Sequence, residues 1–207
     1  MNEALIKGRC IDLGGVLKDL VGDGILSRAD AADIAGARRS RDEALLHPLE
    51  IIVAKQLLHA SDGRLLTLEL LCQWLADKAA LQLAHIDPLK INVPAVTAVM
   101  SFAYAKRYGI LCIDVSREEL VIATMEPYDN SWVESLEQTS RRSIRRVIAS
   151  PTDIKKYSLE FYSLANSVFG AGSSTATNAG ISNFEQLLEV GKLKDADAQD
   201  QHIVNIV

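Results

Sequence analysis

Residues 86–162 constrain the fold most, because three strand-sized apolar runs and two sharply bounded helices follow one another there with short connections. Residues 110–115 and 120–125 are separated only by Ser116-Arg117-Glu118-Glu119. A link that short makes them antiparallel neighbours in a hairpin, with Leu111, Ile113 and Val115 on one face. Pro127 and Asp129 end the second run and open a helix to about Gln138, with Trp132, Val133 and Leu136 turned inward. A third strand is predicted over 143–149. A helix between two strands makes a crossover connection, so the second and third strands should lie parallel. Ser150-Pro151-Thr152-Asp153 then starts a helix whose stripe of Ile154, Tyr157, Phe161, Leu164 and Val168 faces the sheet, with Gly170 as its end. The expected unit is a small mixed ββαβα sheet.

The residues before it carry helical spacing. Leu13, Val16, Leu17, Leu20 and Val21 form one stripe, broken by Gly22-Asp23-Gly24. Ser27 with Asp30 resembles a capping box, and the helix it opens ends in Arg38, Arg39 and Arg41. Pro48 opens a further helix with Leu49, Ile52, Val53, Gln56 and Leu57 on one face. After the turn Ser61-Asp62-Gly63, Thr67 caps a helix to about Ala80 that turns Leu68, Leu71, Cys72, Leu75 and Ala79 inward. Asp87-Pro88 breaks the chain, and Pro94 opens one helix with Val96, Val99, Met100 and Ala103, closed at Gly109 behind Lys106 and Arg107.

The fold class is therefore α+β. A helical subdomain, 1–85, precedes a ββαβα domain, 86–169, packed with helices. Residues 170–201 read as a flexible linker with a short helix near Phe184–Val190, and 202–207 as the start of a further region.

Composition narrows function by exclusion. With a net charge of -5, the chain lacks the overall basic balance of a dedicated nucleic-acid binder. Cys10, Cys72 and Cys112 are far apart in apolar surroundings and are expected to be buried, reduced thiols. With neither a signal-peptide core nor a membrane-length apolar run, the chain is expected to be soluble and intracellular. No G-x-x-x-x-G-K-[ST] loop is present to cradle a phosphate. His47, His59, His85 and His202 are scattered without metal-ligand spacing, and Glu118-Glu119 lies in a hairpin turn that cannot bury an acid–base pair. Catalytic, cofactor-binding and metal-binding residues are all expected to be absent. The dense basic run Arg141, Arg142, Arg145 and Arg146 reads as charge protection of a solvated edge strand, with recognition of an anionic partner as the alternative.

Four segments carry a resemblance: Val93-Pro94, residues 102–109, residues 120–129 and residues 147–154. Together they resemble the N-terminal region of type II secretion and type IV pilus assembly ATPases. In that family an ARRY-type helix end, a hairpin leading into A-x-x-D-P-x-D, and a strand running into S-P-x-[DE]-I occur in this order. Here Glu126 stands where the family has Asp. The residues carrying the signature are Arg107, Tyr108, Gly109, Pro127, Asp129, Ser150 and Pro151, and they are expected to shape turns.

The resemblance implies a cytoplasmic, non-catalytic docking and regulatory module, held peripherally at the inner membrane. Its implied partners are the cytoplasmic part of a membrane platform protein and its own ATPase core, where ATP and Mg would bind. Leu13, Leu17, Leu20 and Arg38 are the expected docking residues. The alternative is a cyclic di-GMP sensor, since some family members bind that ligand through two R-L-G-x-x-L-x-x-x-G repeats. Aligning Leu20 and Gly24 with the first repeat puts Gly15, Val16 and Leu17 in place of R-L-G. The second copy offers His47, Pro48 and Leu49, with Gln56 for glycine and Lys78 for the later glutamine.

Overall fold

The computed structural model describes residues 10–172, with side chains to 167. The expected linker and the 202–207 segment lie outside the described residues. Contacts divide the chain into two compact units, 1–163 and 164–207, and of the second only the end of the last helix is described.

Four helices come first: α1 (Leu13–Gly22), α2 (Arg28–Gly36), α3 (Pro48–Val53) and α4 (Leu68–Ala79). Short polar side chains set their starts. Asp12 accepts from Gly15 N–H, Ser27 from Asp30 N–H and Thr67 from Leu70 N–H, each filling a donor that the first helical turn cannot satisfy itself. Where α1 ends, Gly24 adopts φ 73 and the Ile25 N–H returns to Leu20 O at 2.9 Å, a glycine cap of the Schellman type. The helix expected to carry Gln56 and Leu57 stops at Val53, because Gln56 takes a left-handed φ of 52. Leu17, Leu20, Leu26, Leu49, Ile52, Leu66, Leu71 and Leu75 pack as the core of this part.

The second core surrounds a four-stranded mixed sheet in the order β1-β4-β3-β2. β1 (Gln82–Leu83) follows α4 after a left-handed Ala80, and α5 (Val93–Thr97) and α6 (Phe102–Tyr108) lead to the hairpin of β2 (Ile110–Val115) and β3 (Glu119–Thr124). The helix expected to run unbroken from Pro94 is two helices. Ser101 accepts the Tyr104 N–H at 3.2 Å and starts α6 afresh, which shifts the helical phase so that Ala105 is buried and Ala103 exposed. In the hairpin the register shifts between Cys112 and Asp114, so one alternating face does not run the length of β2.

The crossover is as expected: α7 (Val133–Ser140) connects β3 to a parallel β4 (Ser143–Ile148). Its start is not. Asp129 accepts instead from the backbone and hydroxyl of Ser131, at 3.0 and 2.6 Å, and Trp132 heads α7 without a side-chain cap while its own ring is fully buried. β4 is covered on its outer side only at its end, where β1 pairs with Val147 and Ile148. The pairing is parallel and only two residues long, with Ala84 N–H donating to Ile148 O at 2.8 Å. The sheet thus takes a strand from the residues expected to belong to the helical subdomain, and Ile148 sits in the helical core. The final helix, α8 (Pro151–Gly172), starts at Ser150, whose hydroxyl accepts from Asp153 N–H at 3.4 Å, and buries Ile154 and Phe161 against the sheet.

Candidate functional site

Four separate segments meet at a buried polar junction built on the first turn of α3. Pro48 occupies the first helical position, where a missing N–H costs nothing, and His47 precedes it as the cap. The His47 Nδ1 accepts from Leu49 N–H at 3.3 Å, and Glu50 reaches back so that its carboxylate accepts the His47 N–H at 2.8 Å. With Nδ1 an acceptor, Nε2 carries the proton and donates to Met125 O at 3.2 Å. The first turn of α3 is thereby tied to the end of β3, 78 residues away.

Burial sets the electrostatics of this junction. The His47 side chain is 3% exposed, and desolvation of its cation pushes its pKa down to about 4, against smaller opposing effects of Glu50 and the Met125 carbonyl. The Glu126 carboxyl next to it is pushed up to about 7 by burial, even though the Ile11 N–H donates to it at 2.7 Å; Asp129 raises it further. His47 Nε2 and Glu126 Oε1 are 3.8 Å apart, but at neutral pH the imidazole is uncharged and no ion pair forms. Glu50 behaves differently. Burial raises its pKa, and Lys155 Nζ at 2.6 Å, the His47 N–H and Thr152 together bring it below the usual value. The junction is thus one ionised pair, Glu50–Lys155, beside one neutral imidazole and one carboxyl poised near neutrality.

The expected docking residues fall on opposite sides of the surface. Leu13, Leu17 and Leu20 are 9%, 4% and 0% exposed, and their helical spacing reports the core of the helical part. They can support a surface but present none. Arg38 is exposed, as are Arg39 and Arg41 after α2, and in the same connection Leu45 is 78% exposed. Beside it, Asp30, Asp33, Ile34, Ala37, Lys55 and Leu57 line a shallow cleft of about 310 Å³. An exposed surface of arginines, acids and one leucine therefore runs from α2 to α3, and of its residues only Arg38 was expected to dock. Leu45 and Leu46 gave no periodic signal, which is itself the mark of an apolar residue without a core to join.

Three arginines of the run take part in the fold, and Arg142 is partly exposed. Arg141 holds the left-handed cap of α7 at φ 56, Arg145 Nε donates to Glu119 at 3.0 Å, and Arg146 donates to Pro127 O at 2.9 Å and to Asn130 Oδ1. Glu119 opens β3 and does not sit in the turn. The cysteines divide. Cys72 and Cys112 are buried with thiols pushed up to about 12 by desolvation, whereas Cys10 is exposed, contrary to the expectation of burial. Among the described residues no three His, Cys, Asp or Glu side chains gather as a metal site, and no helix is long and apolar enough to cross a membrane.

Residues 79–167 match the family model of the MshEN domain. The chain is thus similar to the N-terminal region of secretion and pilus ATPases. It is 35% identical over 199 residues to the type IV pilus assembly ATPase TfpB of Acinetobacter baylyi, a match that covers 95% of this chain and 34% of that protein. The chain thus spans about a third of the length of that relative. Two solved structures are similar at lower identity. MshE with cdg matches at 22% identity and a TM-score of 0.47, covering 73% of this chain and 99% of that one. The N-terminal domain of XpsE matches at 12% and 0.45, covering 72% and 96%.

Within residues 79–167 the signature residues lie at turns and helix ends. Gly109 closes α6 at φ 61, Arg107 lies over the Tyr108 ring at 5.3 Å, and the Pro127 carbonyl receives Arg146. Ser150 caps α8 and Pro151 is buried in its first turn.

Proposed function

We propose that this chain is a non-catalytic docking and regulatory module of a secretion or pilus ATPase, binding the cytoplasmic part of an inner-membrane platform protein. On this reading it acts in the cytoplasm, peripheral to the membrane through its partner, with ATP and Mg handled by the ATPase core. The carrying observation is the exposed surface Arg38, Arg39, Arg41 and Leu45 between α2 and α3: cations at the rim and an unburied leucine are the composition of a partner surface. Leu13, Leu17 and Leu20 belong to the core of the helical part and not to this surface.

The test is binding of the purified cytoplasmic part of the platform protein to the wild-type chain and to an Arg38→Glu, Leu45→Ser double variant. Both side chains are exposed, so the fold should be untouched while affinity falls about tenfold or more. Unchanged affinity would move the interface elsewhere.

A second reading, cyclic di-GMP sensing, is favoured by one backbone feature. Gly24 and Gln56, the two positions aligned with the repeat glycine, both adopt left-handed conformations, at φ 73 and 52. Against it, Val16, Leu17, His47 and Leu49 are buried where a ligand would need them, and Lys78 is engaged by Asp23 at 2.7 Å. Calorimetric titration with cyclic di-GMP separates the readings, and absence of heat and of thermal shift removes the sensor.

A further inference from the structure

We propose that the groove between α6 and the first turns of α8 is a second docking site, and that its occupant is an acidic amphipathic helix of another protein. The groove has a volume of about 400 Å³ and is walled by Phe102, Ala105, Ile154 and Leu159, with Met125 as its floor. It lies within the unit of residues 1–163 and shares no residue with the Arg38–Leu46 surface.

Two features make it a receptor for a helix. Its floor can conform: Met125 lies against Gly109, where an added Cβ would stand 2.5 Å from the methionine methyl, and a thioether adjusts to the side chain placed on it. Its lip is unsatisfied, since Leu159 is 51% exposed one residue after the buried Ser158. An amphipathic helix meets such a groove with apolar residues at i, i+3 or i+4, and i+7.

Charge selects which helix. The chain carries a net charge of -5, yet cations collect on the two helices that frame this groove: Lys106 and Arg107 in the last turn of α6, Lys155 and Lys156 on α8. Lys155 is anchored on Glu50 at 2.6 Å, Arg107 lies over Tyr108 and Lys156 over Tyr157, so these cations are held in place before a partner arrives. Of these cations Lys106 and Lys155 line the groove itself, and its lining holds no acid; the acids near it are Glu50 of α3, which bridges Lys155, and Asp153 and Glu160 of α8. Asp and Glu flanking the apolar stripe of an incoming helix would complement this rim and steer its approach.

The experiment selects a displayed library of helical peptides of mixed charge on the wild-type chain, with the Leu159→Glu chain as counter-selection. The expected winners carry the i, i+3/i+4, i+7 apolar stripe with flanking acids, perturb the Met125 methyl NMR signal but not that of Met100, and lose about tenfold or more affinity for Lys106→Glu. Enrichment of cationic or uncharged sequences would overturn the charge argument. No enrichment over the counter-selection, or winners that leave Met125 unmoved, would overturn the site. A Met125 shift caused by dodecanoate or by self-association, with none from peptides, would assign the groove to a small amphiphile or to a second copy and overturn the proposed occupant.

Discussion

Replacing Glu126 by Gln should stabilise this protein, and only at higher pH. The Glu126 side chain is 16% exposed and its pKa rises from 4.5 to about 7 on folding. The folded state therefore holds a proton that the unfolded state has released between those pH values, and stability falls as pH rises through that window. At about 1.36 kcal/mol per unit, the span amounts to about 3 kcal/mol, fully lost above pH 7. His47 works in the opposite direction. Its pKa falls from 6.5 to about 4, so the unfolded state binds the extra proton and stability drops as pH falls through that range. The two effects overlap between about pH 4.5 and 6.5 and flatten the wild-type profile.

Glu126→Gln removes one of them and keeps an oxygen for the Ile11 N–H, which lies 2.7 Å away. The variant should match the wild type near pH 4.5, exceed it by about 3 kcal/mol at pH 8, and show the His47 slope uncovered. Urea unfolding across pH 4.5–8.5 measures this. A pH-independent difference, or a variant less stable at pH 8, would refute the picture of a carboxyl held near neutrality by burial.

Two smaller predictions use the same assay at neutral pH. Gln56→Gly should gain about 0.5–1 kcal/mol, because φ 52 costs a residue with a Cβ roughly 1–2 kcal/mol and the entropic cost of glycine returns only part of that. Arg146→Ala should lose about 2 kcal/mol through its bonds to Pro127 O and Asn130, while Arg142→Glu stays within about 0.5 kcal/mol, which separates the structural arginine from the surface one in a single run.

Where periodicity, turn chemistry and short connections agreed, the fold could be read from the sequence. The hairpin, the crossover through α7, the parallel β3–β4 pair and the capped starts of α2, α4 and α8 all follow from local rules. The misses have physical causes. β1 is two residues long and exists only because β4 offers it backbone partners, so no pattern announces it. The break before α6 depends on one serine outcompeting the continuing apolar pattern for the first-turn amides. β1 covers only the Val147–Ile148 end of β4, so the half that carries Arg145 and Arg146 keeps an open edge on that side.

The candidate site was less legible for a related reason: apolar spacing reports burial, and docking depends on what burial leaves over. Leu13, Leu17 and Leu20 stood out because they repeat, and they repeat because they fill a core. The residues left for partners break the pattern: Leu45 in the connection between α2 and α3, 78% exposed, and Leu159 on the outward shoulder of α8, 51% exposed. Each lies close in sequence to fixed or clustered cations, Arg38, Arg39 and Arg41 in one case and Lys155 and Lys156 in the other. An apolar residue that no helical stripe claims, next to a cluster of cations, is a sequence signal in its own right. It becomes readable only once the stripes have been assigned to their cores. The same subtraction isolates Glu126, an acid in an otherwise apolar strand end, as the residue through which β3 and the start of the helical part are joined.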